Sequence, residues 1–145
     1  MNNEESLSGI TAVVKRATSD DTRAPLDVVH AYTFEFWNRQ NFDIADEIIA
    51  DKMTRYVVGA PPTVLTRVQA KERARALANE YAHWQFRLIH AIADGEMVCT
   101  VYESIGTKMD GSLSRLSSIE VFQVVEGQIV GVWNNSIQKG LWNEL

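Results

Sequence analysis

The sequence is poor in cysteine, which limits the ways in which the fold can be stabilised. Its 145 residues include one cysteine, Cys99, so no disulfide can form within the chain. Cys99 lies in an apolar run, where we expect a small core residue, because a nucleophilic thiolate needs an electropositive and accessible setting. Stability must then come from a packed core, and a chain of this length is long enough to bury one.

Long apolar runs and basic clusters are also missing. No run approaches the ~20 residues needed to span a bilayer, and the N-terminal residues lack the basic and apolar regions of a signal peptide, so we expect a cytoplasmic protein. The formal net charge is -5, and Arg and Lys form no stripe, so neither nucleic acid nor a membrane surface is expected as a partner. No metal-ligand spacing or phosphate-binding loop is present.

The first half of the chain has helical patterns. Residues 1–24 are polar and are expected to form a flexible N-terminal arm, with one domain over 25–145. Pro25 suits the first turn of a helix, and apolar positions at helical spacing follow it. A shorter helix is expected after residue 41. A third should begin after Thr66, which has capping-box spacing to Gln69, with the charged side chains Lys71, Glu72, Arg73 and Arg75 in water.

After residue 83 the apolar pattern changes from a period of 3.6 to a period of 2. We expect four β segments, separated by Asp-Gly and Glu-Gly turns, at residues 84–93, 96–106, 115–125 and 128–135. Helices followed by an antiparallel meander predict an α+β domain. Both sheet faces are apolar, so one should pack on the helices and line any cavity, and the outer face should form a homodimer.

Residues 120–134, with the sequence EVFQVVEGQIVGVWN, carry a family resemblance. Together with the order of elements and the Trp37-Asn38 end of the first helix, they resemble the SnoaL-like branch of the nuclear transport factor 2-like superfamily. The likeness covers roughly residues 25–136. It implies a cone-shaped barrel, in which three N-terminal helices pack in a strongly curved, mostly antiparallel sheet around a deep pocket. It also implies a dimer that needs neither a metal nor an organic cofactor.

Ketosteroid isomerases of this superfamily suggest one possible chemistry. They pair a tyrosine on helix one with a protonated acid on a strand, which together hold an oxyanion. Tyr32 and Glu120 stand at the matching places here. The carboxylate base of those enzymes has no counterpart, since the corresponding segment is Arg55-Tyr56-Val57-Val58.

Two other branches match less well at their reactive positions. Limonene epoxide hydrolases share the Phe-Gln-x-x-Glu-Gly-x-Ile-x-Gly run, but use an Arg and two Asp residues where this chain has Tyr102, Ser104 and Asn134. Polyketide cyclases of the SnoaL type use an acid near the last two strands. Their usual Trp-x-x-x-Asp ending corresponds here to Trp133-Asn134-Asn135-Ser136-Ile137, which has no acid.

Glu120 is the most informative candidate residue. With apolar neighbours on both sides, it is either half-buried with a raised pKa or on the solvated side of the strand. Tyr32 is either a core tyrosine or a catalytic donor, and His90 is either a proton-transfer group or an outer-face histidine. The candidate substrate-binding residues are Tyr56, Trp84, Tyr102, Ser104, Phe122 and Asn134.

Two functional hypotheses follow. The first is a cofactor-independent cyclase, isomerase or dehydratase that moves a proton on a small hydrophobic carbonyl compound, such as a polyketide- or terpenoid-like intermediate. Glu120 would be its acid or base, and Tyr32, Tyr102 and Asn134 would donate hydrogen bonds to the developing oxyanion. The second is a non-catalytic protein of the same fold that binds a small ligand or a partner.

Overall fold

A computed structural model describes residues 22–135 and 137–143. Residues 1–21 of the predicted arm lie outside the described residues. Residues 22–24 of the predicted arm are described, and Arg23 among them forms an ion pair with Glu47 of the domain at 2.8 Å. None of the helices in the described part of the chain is long and apolar enough to cross a membrane.

Three helical regions precede most of the sheet. Helix α1 spans Pro25–Ala31 and continues directly as a π-helical segment, Tyr32–Asn38. A 3-10 turn, Phe42–Ile44, leads into the short helix α2, Ala45–Ile48, and helix α3 spans Arg67–Ala78. Hydrogen bonds over five residues, such as that from the amide of Arg39 to the carbonyl of Phe34 at 3.2 Å, identify the wider π turn. Such turns are rare and frequently lie at functional sites.

The predicted capping box of α3 is confirmed. The amide of Gln69 donates to Oγ1 of Thr66 at 3.1 Å, and the amide of Thr66 donates to Oε1 of Gln69 at 2.8 Å. Each bond satisfies an amide that the helix itself leaves without a partner. This cap fixes where α3 begins and therefore which of its side chains face the sheet.

Seven strands in the described part of the chain form one sheet. They are β1 (Ile49–Val57), β2 (Thr63–Thr66), β3 (Tyr81–Asp94), β4 (Met97–Lys108), β5 (Leu113–Val125), β6 (Gln128–Asn134) and β7 (Gln138–Lys139). The order is β2-β1-β6-β5-β4-β3, with β7 paired to β5. The β1–β6 pair is parallel and every other pair is antiparallel.

The β3–β6 meander follows the predicted segments closely. Its last turn has positive φ at both Glu126 (51°) and Gly127 (77°), which is the geometry of a two-residue hairpin loop. The apolar pattern predicts a short strand over Met53 to Val58, but β1 begins earlier, at Ile49, because Ile49 already pairs with Ile129 on β6. Strands β2 and β7 were not predicted, since each is short and depends on pairing with a neighbouring strand.

The sheet is curved and does not close on itself. Helix α1 packs against β3, β4, β5 and β6. Helix α3 contacts β1 and β3, which lie toward opposite edges of the sheet. The core between them is largely aromatic: Tyr32 stacks on Phe36 at 5.3 Å between ring centroids and meets the edge of Phe122 at 5.5 Å. The predicted α+β class, with helices packed in a strongly curved and mostly antiparallel sheet, is confirmed.

The outer face of the sheet is also apolar. Strand alternation turns Val98 inward, where it is fully buried, and turns Cys99 outward. Cys99 pairs with Val121 and Ile92 on the neighbouring strands and is half-buried. The expectation that Cys99 is a core residue is therefore wrong, because the apolar run around it has two apolar faces and only one faces the helices.

Candidate active site

A cavity of about 100 Å³ lies between the helices and the inner face of the sheet. Its wall is formed by the π-helical segment that continues α1, by α3, and by the strands β1 and β3–β6. The apolar lining residues are Trp37, Leu77, Phe86, Leu88, Phe122 and Ile137. The polar lining residues are Tyr32, Thr33, Arg55, Arg73, Thr100, Tyr102, Glu120 and Asn134.

Glu120 is the carboxylate of this cavity. The register of β5 places it opposite Asn134 on β6 and opposite Thr100 on β4. The Asn134 amide nitrogen donates a short hydrogen bond to Oε2 of Glu120, and Asn134 in turn accepts a bond from the Ser118 hydroxyl at 3.3 Å. The sequence left open whether Glu120 is half-buried or on the solvated side of the strand, and in the structure it points into the cavity.

Burial controls the protonation of Glu120. Loss of hydration raises the pKa of its carboxyl above the ordinary value, because the charged form is penalised in a site with little water. Three groups oppose that effect and favour the charged form: the charge of Arg55, the hydrogen bond from Asn134 and the charge of Arg73. Glu120 is therefore protonated over a wider pH range than a solvated glutamate.

Two tyrosines share the cavity with this carboxyl. Burial, and then the charge of Glu120, raise the pKa of Tyr102 to about 12. The same two causes, in the same order, raise the pKa of Tyr32. Both hydroxyls therefore keep their protons at neutral pH and can donate hydrogen bonds to an oxyanion in the cavity.

Two arginines in the cavity wall were missed as site residues. Arg55 was noted only because the segment around it lacks an acid, and Arg73 was expected in water. Met53 is almost completely buried, and Arg55 follows it by two residues, so strand alternation turns Arg55 inward as well. Arg73 lies four residues before Leu77, on the flank of the buried helix face, and reaches the cavity while remaining exposed at its mouth.

A second chamber of about 90 Å³ adjoins the first. The two chambers share Leu77, Phe86, Tyr102 and Ile137. The predicted binding residues Trp84 and Ser104 line only this second chamber. The indole nitrogen of Trp84 donates to the carbonyl of Trp37 at 2.9 Å, which holds the ring against helix one.

Two predicted site residues lie away from both chambers. Tyr56 is on the outer face, where its ring stacks on Trp133 at 4.7 Å. His90 is exposed and lines neither chamber. The interpretation of His90 as a proton-transfer group in the cavity is therefore corrected to that of an outer-face histidine. A β-bulge between Leu88 and His90 inserts one extra residue, so the alternation that turns Leu88 inward turns His90 outward.

The chemistry that these residues offer is proton transfer and anion stabilisation. The cavity combines one carboxyl with a raised pKa, two neutral tyrosine hydroxyls and two guanidinium groups. Across residues 22–135 and 137–143, no three His, Cys, Asp or Glu side chains are grouped so that they could hold a metal ion.

Solved structures with the same architecture come from several bacteria. A candidate polyketide cyclase from Acidithiobacillus ferrooxidans superposes with a TM-score of 0.67 at 22% identity, over 77% of this chain and 87% of that chain. IdmH, a candidate polyketide cyclase from Streptomyces antibioticus, has a TM-score of 0.66 at 19% identity, over 77% and 91%. An LEH-like epoxide hydrolase from M. tuberculosis has a TM-score of 0.65 at 17% identity, over 83% and 84%.

At these identities the superpositions establish the fold alone. No curated protein matches the sequence. The family model described as the SnoaL-like domain matches residues 28–132, which is most of the chain and includes most of the first helix and the strands that carry Tyr102 and Glu120. The chain therefore belongs to the SnoaL-like domain family.

Proposed function

We propose that this chain is a cofactor-independent enzyme that transfers a proton on a small, largely hydrophobic carbonyl compound. The observation that carries the proposal is a carboxyl group with a raised pKa inside an aromatic cavity, beside two tyrosine hydroxyls that stay protonated. Perturbed pKa values in a cavity are typical of acid–base catalysts. The class includes isomerases, cyclases and dehydratases.

Glu120 acts as the base in this proposal. In its ionised form it removes a proton from the carbon next to the substrate carbonyl and becomes neutral, and the electron pair moves onto the carbonyl oxygen. Tyr32 and Tyr102 donate hydrogen bonds to that oxygen, which are worth more in a cavity with little water than in solution. Glu120 then returns the proton to the same carbon or to another one.

The geometry around Glu120 supports this role. Asn134 donates a hydrogen bond to Oε2 of Glu120. Among the described residues no hydrogen bond reaches Oε1 of Glu120, which leaves that oxygen for substrate. The two chambers together can hold a molecule of about the size of a single ring with a short substituent, since a dry cavity of ~150 Å³ accommodates benzene. Small cyclic ketones are therefore suitable probes.

Exchange of protons for deuterium tests the proposal without knowledge of the natural substrate. Cyclohexanone and phenylacetone are incubated with the protein in D₂O, and loss of the signal from the protons beside the carbonyl is followed by NMR. We expect exchange above the buffer rate, and a decrease of at least about tenfold in Glu120→Gln, the low end for a general base. Glu96→Gln is the matched control, because Glu96 is exposed and bonded to Gln123 outside the cavity.

A non-catalytic binding protein is the second candidate. Among the described cavity residues Glu120 is the one carboxylate. The segment that corresponds to the base of ketosteroid isomerases, Arg55-Tyr56-Val57-Val58, contains no acid, so a second acid that could relay the proton is missing there. Binding of both ketones with exchange no faster than in buffer would favour this candidate. Equal exchange by the Glu120→Gln variant and the wild-type protein would remove Glu120 from the mechanism.

The outer face supports a further part of the proposal, a homodimer formed through the sheet. A groove of about 370 Å³ lies there between β1, β5 and β6. Its apolar walls include the stacked rings of Tyr56 and Trp133 together with Ile119 and Val121. A sheet face that is this apolar favours burial against a second copy of the chain.

A further inference from the structure

Arg55 and Arg73 approach the same cavity from two different elements. Arg55 comes from strand β1 and Arg73 from helix α3, which packs against β1. Both guanidinium groups keep their charge at neutral pH. The positive charge of Arg55 lowers the pKa of Arg73, next after the larger effect of burial, so the two groups lie close enough to repel each other.

These two arginines differ from most others in the chain. Arg23, Arg39, Arg67, Arg75 and Arg87 each form an ion pair with a carboxylate. Among the residues that the structure describes, no hydrogen bond or ion pair joins Arg55 or Arg73 to a partner. Two guanidinium groups that repel each other and have no bonded anion form a site to which an anion would bind favourably.

Glu120 does not neutralise the pair. The cavity holds two positive groups and one carboxyl, and the carboxyl is already bonded to Asn134. When Glu120 is ionised the cavity has a net charge of about +1, and when it is protonated the net charge is about +2. One or two negative charges on a ligand would balance either state.

We infer that the substrate of this cavity carries a carboxylate, which Arg55 and Arg73 bind, and an apolar part that enters the second chamber. The inference rests on the proposed function in taking this cavity as the substrate site. It narrows the substrate class to carbonyl compounds with an acid group, such as keto acids. The apolar part would lie against Trp84 and Phe86, which line the second chamber.

Matched ligands test the inference directly. Binding of phenylacetate and of phenylacetamide, which differ in charge and little in shape, is measured by titration calorimetry at neutral pH. We expect phenylacetate to bind the wild-type protein at least about tenfold more tightly, the low end for charge-assisted hydrogen bonds. Arg55→Gln and Arg73→Gln should each weaken phenylacetate binding by a similar factor and leave phenylacetamide binding within about twofold.

Arg75→Gln is the matched control, because Arg75 lies on the same helix but faces Asp43 and the ring of Phe42 outside the cavity. It should change neither affinity. The inference is overturned if phenylacetamide binds as well as phenylacetate, if neither binds, or if the Arg55 and Arg73 variants weaken both ligands equally.

The binding experiment also separates this inference from the proposed catalysis. Glu120→Gln leaves no negative charge at this position, so it should not weaken phenylacetate binding even though it slows proton exchange. Preferential carboxylate binding without exchange would leave the inference intact and contradict the enzymatic proposal. Exchange without any carboxylate preference would contradict the inference alone.

Discussion

Strands β5 and β6 have a cavity on their inner face and a groove on their outer face, and the two differ more in the chemistry of their side chains than in volume. The outer groove is the larger, at about 370 Å³, and the described residues that line it include no carboxylate, histidine or basic side chain. The inner cavity is about 100 Å³, yet it contains Glu120, Arg55 and Arg73. Neighbouring residues of β5 point to opposite faces of the sheet: Glu120 points into the inner cavity, and Ile119 and Val121 line the outer groove.

The comparison shows that chemistry, and not size, distinguishes a reactive site from a packing surface. A buried ionisable group is costly and persists where its charge is used or compensated. An apolar groove on a sheet carries no such cost once a partner covers it. This difference is the reason for proposing catalysis in the smaller space and association at the larger one.

The largest expected difference between the two faces is in stability. Phe122 is 2% exposed and packs against Tyr32, so Phe122→Ala should lower the free energy of unfolding by about 3–5 kcal/mol. Its neighbour Val121 is half-buried on the outer face, and Val121→Ala should cost at most about 1 kcal/mol. Urea unfolding of both variants measures the difference, and equal losses would show that the outer face is packed as tightly as the core.

The next largest effect concerns the outer face alone. Trp133 is 37% exposed and stacks on Tyr56. In Trp133→Lys, a charge in the middle of the proposed interface should raise the dimer dissociation constant at least about 30-fold, as expected for an aromatic anchor. Light scattering over a range of concentrations measures it, with Val68→Lys, at an exposed position of α3, as the control. A wild-type protein that is monomeric at every concentration would contradict the dimer.

Much of the fold could be predicted from local patterns. The β3–β6 meander follows from alternating residues between Gly-containing turns, and the start of α3 follows from its capping box. The short strands β2 and β7 could not be predicted, because two to four residues carry too little local signal and pair only in the folded chain. The π-helical turn has no sequence signature that we recognised.

The site was predictable where the strand period holds and not where it is interrupted. Glu120, Tyr102 and Asn134 face the cavity as regular alternation allows. His90 does not, because the bulge beside it reverses the alternation, and a bulge is a property of strand pairing. The spacing of Arg55 to the buried Met53, and of Arg73 to the partly buried Leu77, is consistent with the cavity positions. The sequence alone favours solvent for both, because charged residues are usually solvated.

The smallest expected effect tests the electrostatics of the inner face. Because the pKa of Glu120 in the folded protein is raised above 4.5, the folded state holds its proton at a pH where the unfolded state has lost it. The resulting stabilisation is complete below the unfolded pKa and is lost as the pH rises through the folded pKa. Glu120→Gln, which can keep the contact with Asn134, should therefore gain stability relative to the wild-type protein as the pH rises. Urea unfolding between about pH 4 and about pH 8 measures this, with Glu96→Gln showing no such trend. If the relative stability of Glu120→Gln fell with rising pH instead, Arg55 and Arg73 would be holding Glu120 in its charged form, and the cavity would have less positive charge available for a substrate carboxylate.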